Sequence, residues 1–316
     1  MQLDRVLLKG IGYGAGAGLC WGVIFLGPKL APGLSGTQFA VLRYLSYGLI
    51  SLALLAPRWR RACAGLRRED WLALFWLSLV GNLLYYSFVG SAVQHAGVAT
   101  TSLIVGLIPV LVTLAGRKDA DAVPLRHLAP SLMCAIAGAA LISLHALRNS
   151  NAGQAPGEIF IGLLCAVGAL LAWSWFAVVN ARRLASMRQV SAQDWALLAG
   201  VMTGGQALLL AGPTLGPALA QHTPLAWLGF LTAACGVALL ASLLGGALWN
   251  QASRMLPLAL SGQVLVVETL AALLLGFLWD SRWPDALECL AIALLVSGVV
   301  ACLRSHQPRR PSPQRL

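Results

Sequence analysis

Residues 224–249 read PLAWLGFLTAACGVALLASLLGGALW, a run of 26 residues without a charged side chain. A membrane-spanning helix needs about 20 consecutive apolar residues to cross a hydrocarbon core of about 30 Å. The run satisfies that requirement, and it is continuously apolar, whereas a barrel strand would alternate apolar and polar side chains. The stretch therefore predicts a transmembrane helix.

Nine further apolar runs of similar length occur along the 316 residues. The ten predicted spans are 10–30, 35–56, 71–93, 98–116, 127–147, 159–181, 194–213, 224–249, 258–279 and 284–303. Only 10% of the residues are charged and 58% are apolar, whereas a typical soluble domain is about 25% charged. This composition excludes a soluble enzyme, and it predicts an all-α integral membrane protein with ten transmembrane helices.

The basic residues predict the orientation of these helices. If the N-terminus is cytoplasmic, 18 of the 22 Lys and Arg residues fall in cytoplasmic segments, three fall in outside segments and one, Arg43, lies within a span. Cytoplasmic loops of membrane proteins carry such an excess of basic residues. We therefore expect a multi-pass protein of the cell (inner) membrane with both termini in the cytoplasm. The net charge of +11 is then explained by contact with the lipid bilayer and requires no nucleic-acid partner.

The two halves of the chain resemble each other. Trp21 and Trp173 occupy equivalent positions at an offset of 152 residues, and Ser35 and Ser191 do so at an offset of 156. The predicted units are a first repeat at 1–150 (spans one to five), a second repeat at 151–304 (spans six to ten) and a short basic tail at 305–316. Because five is an odd number, the halves must be inserted in opposite orientations. Inverted repeats in transporters enclose a substrate site near mid-membrane, so we predict two inverted five-helix repeats around a central cavity.

Span one carries a glycine at every fourth position. These glycines are Gly10, Gly14, Gly18 and Gly22. A stripe of small residues lets a second helix approach closely within the membrane. We therefore expect this face of span one to pack against another helix.

Three stretches carry a resemblance to a known family. They are Val41-Leu-Arg-Tyr44 in span two, AGVATTSLIVGLIPV at 96–110, and Val266-Val-Glu-Thr269 in span nine. With them the chain resembles ten-helix, EamA-type members of the drug/metabolite transporter superfamily. The resemblance implies an export or exchange carrier for small metabolites. The family often has Glu-Pro in the second half, where this chain has Thr269 after Glu268.

Glu268 is the leading candidate for the transport chemistry. It lies about ten residues into span nine, near the expected bilayer centre. An acid there costs about 2.5–3.5 kcal/mol on insertion scales, and intramembrane acids usually face a cavity and often relay protons. We therefore consider it a coupling residue for protons. The alternative is a neutral acid that hydrogen-bonds between helices and only organises their packing.

Arg43 is the second charged candidate, about eight residues into span two. A guanidinium can hold a carboxylate through two parallel hydrogen bonds, so Arg43 could bind an acidic substrate group. Two structural roles compete with this interpretation. The side chain could extend to the outer interface, or it could pair with an acid such as Glu268.

Aromatic and amide side chains deep within spans are candidates for lining the substrate path. They are Trp21, Trp173, Trp175, Tyr85, Tyr86, Asn82 and Gln263. Stacking or cation–π contact with a substrate is the functional interpretation, and helix packing is the alternative. Pro109 is predicted to kink its helix, either as a hinge or as a plain packing kink.

These features favour a secondary active transporter that exports small metabolites, amino acids or related compounds, by alternating access, with protons as the candidate coupling ion. A carrier for cationic or aromatic drugs is the first alternative, with Glu268 as the counter-charge. A membrane scaffold or enzyme is a distant alternative, because no cluster of nucleophile, acid and base appears. The sequence has no Walker A loop, no Cys-x-x-Cys pair and no His-x-x-x-His, and it predicts no metal or cofactor. The oligomeric state is left open.

Overall fold

The computed structural model describes residues 5–116, 124–149, 156–187, 190–279 and 281–305. Among these residues it contains helices and turns, and no strand. The α-helices are α1 (Arg5–Gly22), α2 (Gly27–Leu30), α3 (Gly36–Leu55), α4 (Trp59–Cys63), α5 (Arg68–Ser78), α6 (Tyr85–Val105), α7 (Ile108–Ala115), α8 (Leu125–Asn149), α9 (Pro156–Ser186), α10 (Ala192–Leu219), α11 (Pro224–Val237), α12 (Gly246–Met255), α13 (Leu258–Val264), α14 (Val266–Trp279) and α15 (Ala286–Ser305). The predicted all-α class is confirmed.

Seven helical segments of the described chain are long and apolar enough to cross a membrane. They are Arg5–Leu26, Gly36–Cys63, Arg68–Ala96, Gly157–Ser186, Ala192–Leu219, Pro224–Met255 and Leu260–Trp279. They match predicted spans one to three and six to nine. Span five falls in α8, and span ten falls in α15, whose apolar part is the shorter Ala286–Gly298.

The predicted boundary between spans three and four, at 94–97, differs from the structure. Helix α6 continues through it, and the non-helical residues come later, at 106–107. Residues 94–97 contain no proline that would end a helix there. Most of the predicted tail, 306–316, and the loop at 117–123 lie outside the described residues.

The glycine stripe of α1 packs against α13 and α14, as the sequence predicts. A Cβ placed on Gly14 would lie 2.7 Å from Cγ1 of Val264, and one on Gly18 would lie 2.8 Å from the backbone nitrogen of Glu268. A larger residue would push the helices apart, because these distances are below van der Waals contact. The stripe therefore fixes the backbone of Glu268 directly against α1.

Helices α3 and α10 begin in the same way. The hydroxyl of Ser35 accepts a hydrogen bond from the backbone N–H of Gln38 at 3.1 Å, and the hydroxyl of Ser191 accepts one from that of Asp194 at 2.9 Å. Each serine thus satisfies a backbone donor that the first helical turn leaves free. The two serines are the pair that the sequence places at equivalent positions.

The same two helices lie antiparallel and touch at matched glycines. A Cβ on Gly48 would lie 2.5 Å from the Cα of Gly204, and a Cβ on Gly204 would lie 2.5 Å from the Cα of Gly48. Arg58, just beyond the end of α3, lies beside Asp194 near the start of α10, with Nε and Oδ1 3.1 Å apart. The glycines repeat the offset of 156 residues that separates the serine caps.

Two π-helical segments interrupt the third predicted span of each half. Residues 79–84 join α5 to α6, and residues 238–245 join α11 to α12. A π-helical turn widens the helix locally, and such turns often occur at functional sites. Both segments lie next to the central side chains described below.

The bundle has two ends that differ in charge. We call "basic end" the end at which residues 58–70, 183–187 and 190–195 lie, and there Arg183 pairs with Asp70. We call "opposite end" the end at which residues 33–38 and 214–222 lie. At the opposite end, Nε2 of His222 lies 3.2 Å from the carbonyl oxygen of Gly33.

Candidate functional site

Three tryptophans from three helices meet at the centre of the bundle. The ring of Trp21 on α1 lies 5.5 Å from that of Trp173 on α9 and 5.6 Å from that of Trp249 on α12, and the last two are 5.3 Å apart, between ring centroids. All three are buried. Trp21 and Trp173, predicted to be repeat equivalents, therefore contact each other.

The π-helical segments hold part of this centre in place. The indole N–H of Trp21 donates to the carbonyl oxygen of Ala241, within residues 238–245, at 2.9 Å. A Cβ on Gly245 would lie 2.7 Å from Nε1 of Trp21, so the small residue admits the ring. The indole Nε1 of Trp249 is buried and has no hydrogen-bond partner among the described residues. A buried free donor of this kind is available to a ligand or a water molecule.

Tyrosines extend the aromatic centre towards Arg43. Tyr85 lies 6.3 Å from Trp173 and 4.5 Å from Tyr86, and Tyr86 lies 5.9 Å from Tyr44, between ring centroids. Both Tyr85 and Tyr86 belong to the first turn of α6, directly after the π-helical residues 79–84. The rings form one continuous aromatic path between the tryptophans and the guanidinium.

Arg43 is buried, with 2% of its surface exposed. Its guanidinium carbon lies 3.9 Å from the ring centroid of Tyr86 and 4.4 Å from that of Tyr44, at cation–π distance. Its Nε and Nη2, and the hydroxyl of Tyr44, make no hydrogen bond of good geometry within the described residues. The side chain does not extend to the membrane interface, so that structural role is not observed.

Arg43 also lacks an acidic partner among the described residues: no carboxylate lies within 4.0 Å of it. The pairing with Glu268 that the sequence left open is therefore not present. A buried charge without a counter-charge is costly, and in membrane proteins such charges mark ligand or ion pathways. Arg43 is thus placed where an anion would neutralise it.

Glu268 lies in the first turn of α14, after a break in helical structure at Leu265. Its side chain is buried and makes no hydrogen bond or ion pair with the described residues, while its backbone is packed against Gly18. Tyr85 and Tyr86 are within electrostatic range of both Glu268 and Arg43. Both groups without an ionic partner are therefore near the same tyrosine pair.

Two cavities border on Tyr86. The first, here called the tryptophan cavity, is a narrow crevice lined by Trp21, Trp249, Tyr44, Tyr86, Asn82, Asn180, Asn250 and further residues towards the basic end. The second, here called the Arg43 pocket, is also narrow and is lined by Arg43, Tyr86, Phe25, Phe39, Val89 and further residues towards the opposite end. Tyr86 contributes to the walls of both cavities, whereas Glu268 lines neither.

The comparisons with known proteins identify the family. Residues 8–144 match the sequence profile of the EamA-like transporter family. The chain is also 32% identical over 319 residues to inner membrane protein YtfF of Escherichia coli (strain K12), an alignment that covers 96% of this chain and 98% of that protein. The chain belongs to the EamA-like transporter family.

A protein of known crystal structure shares the fold of this EamA-like chain. It is 19% identical, the match covers 96% of this chain and 99% of that one, and the TM-score is 0.67. The resemblance to the drug/metabolite transporter superfamily is confirmed by the family and the homologue. As a homologue of an inner membrane protein, the chain has multiple membrane spans, as the sequence predicts.

The predicted amide residues have different surroundings in this EamA-like protein. Asn82 lines the tryptophan cavity, and its Nδ2 donates to Oγ1 of Thr203 at 2.9 Å. Gln263 is buried away from both cavities; its Oε1 accepts from the hydroxyl of Ser131 at 3.1 Å, and its Nε2 donates to Oγ1 of Thr113 at 3.4 Å. We therefore interpret Gln263 as a link between helices, and we keep only Asn82 in the proposed site.

Trp175 and Pro109 also differ from expectation. Trp175 is 42% exposed and lies away from the tryptophans, because two positions along α9 turn a side chain about 200° from Trp173. Pro109 lies in the first turn of α7, where a missing N–H breaks no helical hydrogen bond, so it does not kink a helix from within. The non-helical residues 106–107 before it are the actual break, and a hinge there stays a prediction.

Four further residues belong to this site: Tyr44, Trp249, Asn180 and Asn250. The sequence offers Trp249, Asn180 and Asn250 as less favoured candidates within spans, and it does not single out Tyr44. Nδ2 of Asn180 donates to Oδ1 of Asn250 at 2.9 Å, and Oδ1 of Asn180 accepts from Nε1 of Trp195 at 2.9 Å. These contacts join α9 to the next helix, α10, and to α12, which is 70 residues away at the point of contact. The only local signals were the adjacency of Tyr44 to Arg43 and of Trp249 to Asn250.

Proposed function

We propose that this protein is a secondary active transporter that exports small metabolites, amino acids or related compounds, through a site at the tyrosine pair. The observation that carries the proposal is that Arg43 and Glu268, two buried ionisable groups without an ionic partner among the described residues, are both within electrostatic range of Tyr85 and Tyr86. In this proposal Arg43 binds a substrate carboxylate, and Glu268 binds and releases the coupling proton.

We further infer that the two halves are inverted repeats of five helices each, at 1–150 and 151–304, followed by a short basic tail. Matched serine caps, antiparallel packing of α3 on α10 and two π-helical segments at equivalent positions support this. Inverted repeats provide two alternative arrangements of the same contacts, which is the basis of alternating access. The positive-inside pattern supports a cytoplasmic location of both termini.

The two cavities support a site that opens to one side at a time. One extends from Tyr86 towards the basic end, and the other extends from Tyr86 towards the opposite end. A shift of α6 at Tyr86 would join the substrate site to one cavity and separate it from the other. The alternative substrate class, cationic drugs, is less well supported, because the charge of Arg43 would repel a cation at the same tyrosines.

Counterflow in proteoliposomes tests the proposal. Purified protein would be reconstituted and assayed with labelled amino acids, monocarboxylates, nucleosides, sugars and quaternary ammonium compounds, with and without a pH gradient. We expect accumulation of carboxylate-bearing solutes and acceleration by the gradient. Accumulation of none of these compounds would contradict transport, and accumulation of quaternary ammonium compounds alone would favour the drug carrier.

A further inference from the structure

The Arg43 pocket combines one charged group with otherwise apolar walls. Its apolar side chains come from residues 24–25, from α3 and from α6, and they are Ile24, Phe25, Leu34, Phe39, Val89 and Val93. Ser35 also lines the pocket, but its hydroxyl is used to cap α3. Among the described residues, the lining contains no acidic side chain. The described lining is therefore mostly apolar, with Arg43 as its one cation.

The helices that form the pocket walls are held together by glycines. A Cβ on Gly36 would lie 2.3 Å from the Cα of Gly90, and a Cβ on Gly90 would lie 2.6 Å from the Cα of Gly36. This close approach of α3 and α6 fixes the two helices that carry most of the pocket lining, and it leaves a narrow space beside Arg43.

The two guanidinium nitrogens of Arg43 that lack a hydrogen-bond partner match the geometry of a carboxylate. Nε and Nη2 form one edge of the guanidinium, and both are buried without a hydrogen-bond partner of good geometry among the described residues. A carboxylate accepts two parallel hydrogen bonds from such an edge. One cation neutralises one negative charge, and the ammonium group of an amino acid would find no acidic partner in this lining.

We propose that the Arg43 pocket binds small organic monocarboxylates that carry an apolar body, in preference to their zwitterionic amino acid analogues. This inference rests on the proposed transport function, because it assigns the substrate class within the same site. It narrows the "related compounds" of that proposal to acids with one negative charge. The apolar body would occupy the space between Phe25, Phe39 and Val89.

The test is direct binding to the purified full-length protein by isothermal titration calorimetry. The probes are phenylacetate, its neutral amide phenylacetamide, phenylalanine and phenethylamine, which share a ring and differ in charge. We expect phenylacetate to bind at least about tenfold more tightly than the amide or phenylalanine, since hydrogen bonds to charged groups exceed neutral ones by this order. We expect no binding of phenethylamine.

Variants locate the binding. In Arg43→Gln the preference of phenylacetate over phenylacetamide should fall to about one, whereas Arg58→Gln, at the exposed basic end, should retain it. Val93→Phe fills the pocket without changing charge, so it should weaken phenylacetate binding even if Arg43→Gln fails to fold. Equal affinities of acid and amide for the unaltered protein, or an unchanged preference in folded Arg43→Gln, would overturn the proposal.

An anionic lipid headgroup offers the same chemistry as a soluble acid, so nanodiscs separate the two sources. Phenylacetate binding should be equal in discs of phosphatidylcholine and in discs that contain phosphatidylglycerol. Loss of binding only in the anionic discs would assign the pocket to lipid and overturn the proposal. The binding result and the transport result can be separated. Binding of phenylacetate without counterflow of any solute would contradict the proposed transport function. Counterflow of other solutes without phenylacetate binding would contradict only the preference for monocarboxylates.

Discussion

Arg43 and Arg183 are both largely removed from solvent, and they differ in what surrounds them. The side chain of Arg183, 26% exposed, pairs with Asp70 at the basic end and lies 3.9 Å from Glu69. Arg43 is 2% exposed and has two tyrosine rings but no acid within the described residues. An arginine with a structural role is paired with an acid, because a buried charge without a counter-charge is costly. We therefore interpret Arg43, which has no such partner, as a ligand-binding residue.

The same contrast separates two buried acids. Glu288 accepts hydrogen bonds from both terminal nitrogens of Arg282, at 2.8 and 2.7 Å, and from the backbone N–H of Asp285 at 2.9 Å. Glu268 has no such partner among the described residues and lies within electrostatic range of the tyrosine pair. Arg43 and Glu268, the two residues without an ionic partner in these comparisons, are both within electrostatic range of the tyrosine pair.

The largest expected effect is at Glu268. Glu268→Gln removes the titrating group without changing its size, so we expect pH-gradient-driven uptake into proteoliposomes to be abolished while thermal unfolding is little changed. Glu288→Gln is the matched control: it should lower thermal stability and leave the pH dependence intact, since it breaks the pair with Arg282. Gradient-driven uptake that persists in Glu268→Gln would remove this residue from the mechanism.

The second effect is at Arg43. Arg43→Lys keeps the charge but loses the planar pair of donors, so we expect the KM for a carboxylate substrate to rise about tenfold, the equivalent of about 1.4 kcal/mol. Initial rates over a concentration series measure this, with the folded state checked by the aromatic circular dichroism of the tryptophan centre. A KM close to that of the unaltered protein would argue against a bidentate carboxylate site.

The paired charges should affect stability and not affinity. Asp70→Asn leaves Arg183 without its partner, and we expect a loss of about 2 kcal/mol in stability, below the 3–5 kcal/mol of fully buried pairs because Arg183 is partly exposed. Thermal unfolding in micelles measures it. Glu69→Gln, at a carboxylate whose side chain is 79% exposed, is the control and should change stability by less than about 0.5 kcal/mol. A changed KM in Asp70→Asn would contradict the claim that the Arg183–Asp70 pair affects stability and not substrate affinity.

The smallest effect is expected at Trp175. Its ring is 42% exposed, whereas Trp173 is buried against Trp21 and Trp249. We expect Trp175→Ala to leave the KM within about twofold, because a residue on the outer face contributes packing only. Trp173→Ala, measured in the same assay, should raise the KM by more than Trp175→Ala does. Equal effects of the two substitutions would show that the tryptophan centre has no special role.

Much of the fold was predictable because its signals are local. Apolar length predicted the seven spans that the structure describes as long apolar helices, and the glycine stripe predicted the close contact of α1. The sequence also paired Ser35 with Ser191, and both cap the start of a helix. Arg43 and Glu268 were recognisable because a charge within an apolar run is rare and costly.

The remaining features depend on contacts between distant segments. Trp173 and Trp175 cannot be distinguished by sequence, because lipid-facing and core-facing surfaces of a membrane helix are both apolar. Gln263 proved to be a link to Ser131 and Thr113 because its partners come from other helices. The roles of Tyr44 and Trp249 likewise depend on rings brought together by folding.

The most direct test of the central claim is a single counterflow experiment on four proteins: the unaltered chain, Arg43→Gln, Glu268→Gln and Asp70→Asn. Labelled amino acids and monocarboxylates would be offered to proteoliposomes that hold equal amounts of folded protein. With and without a pH gradient, the account predicts accumulation by the unaltered chain and by Asp70→Asn that the gradient accelerates, none by Arg43→Gln, and no acceleration by the gradient in Glu268→Gln. Equal accumulation by all four proteins would contradict it.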